Sequence, residues 1–203
     1  MKKHIFLLPI LILTLVFTGC SDDDDPTPDP VNEQEVITRV TLTMTNLETD
    51  EVLATYSWND PEYGGSGFEY EGLTELPPVP TGCEVNAYNT TLDPSDPEYL
   101  VTTEILEEGA DHQFFFSTDP EGLVFDFNIL SMGPWASVDV NGDKIGQKCH
   151  IMPYMESAGM SGTLTVLLIH EPDKSAEGVS SGDPTNAGGE TDFELTWNFA
   201  WAE

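Results

Sequence analysis

The sequence predicts an all-β protein, an antiparallel β-sandwich of the immunoglobulin-like or a related kind. Three observations carry that expectation. Apolar residues recur with a period of two through most of the chain after residue 35, the intervening stretches are rich in Gly, Pro, Asn and Asp, and helical character is confined to residues 102–108. Strict alternation marks strands with one buried face, and many short strands joined by turns close most readily into two packed sheets. An apolar share of 39% and an aromatic share of 10% in 203 residues supply a core, which a disordered acidic chain lacks. The charge is lopsided, with 37 Asp+Glu against 6 Lys+Arg and a net of −31. That excludes a nucleic-acid backbone binder and a protein docked on anionic lipid by a basic face, and it leaves a soluble surface that attracts cations.

The chain opens with Lys2 and Lys3 followed by an almost unbroken apolar run over residues 5–17. The run is short for a spanning helix and suits a signal peptide, assigned to residues 1–19. Phe17-Thr18-Gly19-Cys20 resembles the lipobox of bacterial lipoproteins, which implies cleavage before Cys20 and a diacylglycerol thioether on its sulfur. Such an anchor holds a protein to a membrane by buried methylenes, without a spanning segment. Ser21-Asp22-Asp23-Asp24-Asp25 resembles the surface-export signal of Bacteroidota lipoproteins. Pro26, Pro28 and Pro30 then alternate with polar residues, so residues 20–35 read as lipidated cysteine, export signal and stiff tether. The sandwich domain is assigned to residues 36–203.

Within that domain Val40, Leu42 and Met44 alternate with threonines, and Val52, Ala54, Tyr56 and Trp58 repeat the pattern after a polar turn at 46–51. Further strand candidates are 68–70, 84–88, 99–106, 113–117, 123–130, 136–140 and 162–170. The cleanest alternation is at the C-terminus, where Phe193, Leu195, Trp197, Phe199 and Trp201 share one parity against Asp192, Glu194, Thr196 and Asn198. Asn141-Gly142 reads as a tight hairpin turn. With Cys20 lipidated, Cys83 and Cys149 remain, and an oxidising envelope favours a disulfide between them.

Catalytic templates are absent. There is no His-Glu-x-x-His, phosphate loop or dinucleotide fingerprint, the Gly178-Val179-Ser180-Ser181-Gly182 match to Gly-x-Ser-x-Gly lies in a stretch without the strand-to-helix setting of a nucleophile elbow, and the many carboxylates give no discriminating acid/base pair. The chain therefore reads as a non-enzyme. Histidine is scarce and informative. His112 shares strand parity with Phe114 and Phe116, and His170 ends an apolar run in parity with Leu164, Val166 and Leu168. Two imidazoles on the core-facing side of strand ends, with Glu171 and Asp173 following His170, make a candidate site for zinc, iron or copper. The bland alternative is two rim histidines bonded to backbone. Cys149, His150, Met152, Met155 and Met160 form a weaker candidate for copper(I). Asp139-Val140-Asn141-Gly142-Asp143 starts like a calcium loop, but Lys144 and His150 stand where that loop needs Gly and Glu, so weak calcium binding by the acidic surface is the most it implies. The stretch 171–192 has no strand period and six acids, and is the loop expected to face a ligand or partner.

Three segments carry a wider resemblance: residues 36–45, Glu107-Glu108-Gly109-Ala110-Asp111-His112-Gln113-Phe114-Phe115-Phe116, and His170-Glu171-Pro172-Asp173-Lys174-Ser175 through Gly188-Gly189-Glu190-Thr191-Asp192. Together they resemble a small lipoprotein family of flavobacteria and relatives, often labelled as having a type 1 periplasmic-binding fold. Members tend to accompany TonB-dependent outer-membrane receptors. That label implies an α/β architecture, whereas the alternation here predicts a sandwich. The resulting expectation is a lipid-anchored outer-membrane protein facing the cell exterior, capturing a metal or metal complex for a TonB-dependent receptor. The alternative is a structural or adhesive surface sandwich that contacts other proteins and has no small-molecule site.

Overall fold

The computed structural model describes residues 35–60, 69–71, 75–120, 123, 126–128, 132–154 and 156–203, with backbone alone considered at Tyr70 and at 126–128. The signal peptide, Cys20, the acidic run Ser21 to Asp25 and the tether up to residue 34 lie outside the described residues, as do parts of the strand candidates 68–70 and 123–130. The first half contributes β1 (Arg39–Asn46), β2 (Val52–Asn59), β3 (Glu69–Glu71), β4 (Glu75–Leu76) and β5 (Thr81–Tyr88). A short helix, α1 (Thr102–Glu107), precedes β6 (His112–Asp119), β7 (Asp126–Asn128), β8 (Lys148–Met152), β9 (Ser161–His170) and β10 (Glu190–Trp201).

These strands form two sheets. One runs β3-β2-β1-β5-β8-β7 and the other β4-β10-β9-β6. All pairings are antiparallel except the two-residue contact of β10 with β4. The alternating residues do what their period predicts. Val40, Leu42 and Met44 from β1, Val85 and Ala87 from β5, and Leu164, Val166 and Leu168 from β9 are fully or almost fully buried in one core. Phe193, Leu195, Trp197, Phe199 and Trp201 of β10 join them. Each such side chain contributes about 1.5–3 kcal/mol by leaving water. Two indoles lock the layers by hydrogen bonds. Trp197 donates to the Ser57 carbonyl at 3.0 Å, and Trp201 donates to that of Leu123 at 2.7 Å. The chain is thus an all-β sandwich.

Three local expectations need correction. Residues 99–106 do not form a strand. A 3-10 turn over Pro97–Tyr99 leads into α1, because Val101 and Ile105, four residues apart, bury one helical face. Residues 136–140 form only an isolated bridge, Val138 with Lys144, around the expected turn, where Gly142 has φ 87°. Conversely, Cys149 and Ile151 alternate with Lys148, His150 and Met152 to make β8, a strand that had been read for its donor atoms.

Among the described residues no helix is long and apolar enough to cross a membrane.

Candidate metal centre

His112 begins β6 directly after α1, where Asp111 donates its backbone N–H to the Glu108 carbonyl and turns the chain into the sheet. Its parity with Phe114 and Phe116 points the imidazole inward, and it is fully buried. His170 ends β9 and pairs with His112 in register. The two rings are stacked, with centroids 4.7 Å apart and planes 17° from parallel.

Two carboxylates complete the group. On the next strand, Thr191 pairs with Ile169 and Phe193 with Leu168, so Asp192 is the extra residue of a β-bulge. A bulge re-aims a side chain that regular pleating would send the other way. Here it turns Asp192 toward the histidines, leaving its side chain 3% exposed. Glu35 arrives from the segment before β1 and is equally buried, with Oε1 2.7 Å from His112 Nε2. Asp192 lies 3.9 Å from that nitrogen and 4.0 Å from His170 Nδ1. One donor atom from each of Glu35, His112, His170 and Asp192 can be chosen so that all four lie within 4.8 Å of one another.

The electrostatics describe a coupled acid/base cluster. Burial pushes the Glu35 carboxyl up, but His112 and the residue's own backbone N–H outweigh it and hold the carboxyl below its ordinary value. Burial presses His112 down, while Glu35, the Glu108 carbonyl and Asp192 raise it above the usual imidazole value. Burial, and then the charge of Glu35, push Asp192 up to about 6 against the pull of both histidines. His112 Nδ1 is 3.2 Å from the Glu108 carbonyl. Donation there leaves Nε2 as the nitrogen that faces the carboxylates, the arrangement by which a backbone partner orients a metal-binding imidazole. The Glu35 carboxylate stands at ion-pair distance from Nε2. Nε2, Glu35 Oε2 and Asp192 Oδ2 are buried without a hydrogen-bond partner among the described residues. Buried polar atoms left in that condition are rare and call for an explanation.

A cation supplies one. Two imidazole nitrogens and two carboxylate oxygens match the borderline donor class of zinc, iron and copper(II) rather than the all-oxygen shells of calcium or magnesium. Tetrahedral bonds of about 2.0–2.1 Å would bring donors to roughly 3.4 Å from one another, so on binding the wider separations would close by about an ångström while Glu35 and His112, 2.7 Å apart, would open slightly.

The structure thus unites two of the residues anticipated from sequence and replaces two others. Glu171 and Asp173 are exposed and outside the group. Glu171 turns away in a left-handed conformation, φ 51°, while its N–H is held by the Asp111 carbonyl. The Asp173 carboxylate accepts from the Ser175 N–H and hydroxyl, which hold its pKa below the ordinary value. Sequence parity puts Asp192 on the outer face of β10, and the bulge reverses it. Glu35 had been counted with the tether, and no local pattern marks it as a donor.

The loop that starts at Glu171 folds back on the sheet. Val179 and Ala187 pack on Phe115 and Ile169, and Gln113 donates to the Val179 carbonyl. A Cβ at Gly189 would meet the carbonyls of His170 and Glu171, so glycine allows the two ends of the loop to close beside the site.

The other candidates are dispersed. Cys149 and Ile151 face the core, whereas His150 and Met152 lie on the other side of β8, which separates the copper(I) donors; Met155 lies outside the described residues. In the calcium-like loop, Asp139 accepts from the N–H groups of Asn141 and Asp143 and from the Lys174 ammonium at 3.1 Å. A resident cation thus occupies the carboxylate that would open such a site. Cys83 and Cys149 are both buried and sit directly opposite each other on β5 and β8.

No family model, curated protein or solved structure matches the chain.

Proposed function

We propose that the protein is a lipid-anchored, non-enzymatic binding protein on the outside of the outer membrane that captures a divalent transition-metal ion, acting beside a TonB-dependent receptor. The observation that carries the reading is the convergence of Glu35, His112, His170 and Asp192, with three buried donor atoms left without hydrogen-bond partners. Four protein donors fill a tetrahedral shell, which suits holding an ion rather than using an open position for catalysis. His170, with 11% of its side chain exposed, is the least enclosed of the four and marks the side by which an ion enters. The lipobox-like Phe17-Thr18-Gly19-Cys20 and the acidic run behind it support the address, and the acidic surface favours cation encounter.

Calorimetric titration of the full chain in detergent with zinc, iron(II) and copper(II) tests the reading. Saturable binding of at least one ion is expected, lost in His112→Ala and in His170→Ala. Silence of the wild type toward all three metals would sink it. Elemental analysis of protein purified from its native membrane then names the ion.

A further inference from the structure

We infer that the bound ion fastens the segment leading into β1 to the four-stranded sheet, so that occupancy of the site and docking of that segment control each other. This rests on the metal-binding reading above and adds a regulation to it. His112, His170 and Asp192 come from adjacent strands β6, β9 and β10 of one sheet. Glu35 comes from the approach to β1, a strand of the other sheet. The ion is therefore a joint between that segment and the opposite layer of the sandwich.

The hold on the segment changes sharply along it. Thr38 donates its N–H to Tyr88 and accepts from the N–H of Asp60, its hydroxyl meets that of Thr90, and Ile37 lies in the core. Ahead of Ile37, the Glu35 carboxylate pairs with His112 through Oε1, and Oε2 has no hydrogen-bond partner among the described residues. A carboxylate so buried gives up its hydration, and His112 and its own backbone N–H compensate it while leaving Oε2 without a hydrogen bond. A cation adds a ligand bond to the docked state that the released state lacks, and that difference is what shifts a two-state equilibrium. By linkage, docking of Glu35 strengthens ion binding by the same factor. Glu35 is the last of residues 20–35, read from sequence as lipidated cysteine, export signal and tether, and residues 20–34 immediately precede it. A partner that draws those residues away from the domain thereby weakens the site and promotes release of the ion.

Hydrogen exchange read by mass spectrometry on the full chain in detergent, beside calorimetry with zinc, tests the coupling. Saturating zinc is expected to slow exchange of the amides of residues 35–37 by a factor of about 5–150, the usual span for coupled sites. Glu35→Gln, of nearly the same shape, is expected to bind zinc more weakly by a similar factor and to show no slowing there at saturation. Unchanged protection of the β1 amides in that variant shows that the fold is intact. Zinc binding to the wild type without slower exchange at 35–37 would overturn the coupling while leaving the site standing. The same slowing in zinc-saturated Glu35→Gln would overturn it equally. Absence of binding of zinc, iron(II) and copper(II) alike to the wild type in the calorimeter removes the metal reading and the coupling together.

Discussion

His112 and His170 face each other as register partners across β6 and β9, with their rings nearly parallel and 4.7 Å apart. Stacked imidazoles at that separation repel if both are charged. Glu35, 2.7 Å from His112, favours a proton on His112. On the proposed metal-binding reading a divalent ion would replace the proton and satisfy both carboxylates, and most of the site's expected behaviour follows from this exchange.

Zinc affinity should rise with pH. His112 is held above its ordinary imidazole value and Asp192 is pushed up to about 6, so both carry protons in mildly acidic solution and must release them to bind an ion. Titrations from pH 5 to 8 should show affinity climbing by about 10- to 100-fold per pH unit at the acid end, as one to two protons are released, and levelling above the His112 value. Titrating in buffers of different ionisation enthalpy counts the protons. An affinity independent of pH would contradict the donor set.

Replacing Asp192 by Asn should stabilise the metal-free protein while weakening the site. The carboxyl has a folded value of about 6 against an ordinary 3.8. A raised acid favours folding in its protonated form, so its stabilising contribution falls away as pH rises from about 4 to 6 and stays lost above. Urea melts in chelator should show Asp192→Asn gaining on the wild type by about 2–3 kcal/mol at pH 7.5, and by little at pH 4. Zinc affinity should drop in the same variant. Equal stabilities at both pH values would remove the buried charge from the account.

His112→Ala should do the opposite. It leaves Glu35 and Asp192 as buried carboxylates without their imidazole, which costs about 3–5 kcal/mol where both are ionised. The cost should shrink toward pH 5, as the carboxylates take up protons. His170→Ala, at the more open edge, should cost less, about 1–2 kcal/mol. Denaturant midpoints at pH 5 and 8 separate the two variants, and zinc should rescue neither.

Cys83 and Cys149 should bridge when the protein matures in an oxidising compartment. Residues directly opposite on antiparallel strands hold their Cα atoms about 4.5–5.5 Å apart, inside the range a disulfide spans. In the chain-entropy model, closing so long a loop contributes on the order of 4 kcal/mol. Alkylation and intact mass of protein isolated without reductant should find these two sulfurs protected until reduction. Labelling of both after unfolding in the absence of reductant would refute the bridge.

Much of the fold was legible because a strand with one wet face writes its period directly into the sequence. β1, β2 and β10 appear where Val40, Trp58 and Trp197 alternate with polar neighbours, and β6 and β9 appear as apolar runs through Phe114 and Leu168. That same parity was sufficient to turn His112 and His170 inward. What it could not supply was partnership, which depends on which strands become neighbours. β6 lies beside β9 only after a crossover, and that adjacency makes two distant histidines a stacked pair. The carboxylates were hidden for two further reasons. Asp192 reads as an outward residue because a bulge is an event of strand pairing, and the alternation in sequence runs straight through it. Glu35 reads as one more acid of a polar tether, because the burial that distinguishes it comes from the opposite sheet. The amino-acid sequence alone determined the strands and their buried faces, which are local properties of a period of two. The tertiary structure alone decided which four charged or titratable side chains share one dry volume, because electrostatic partnership acts through space and ignores distance along the chain.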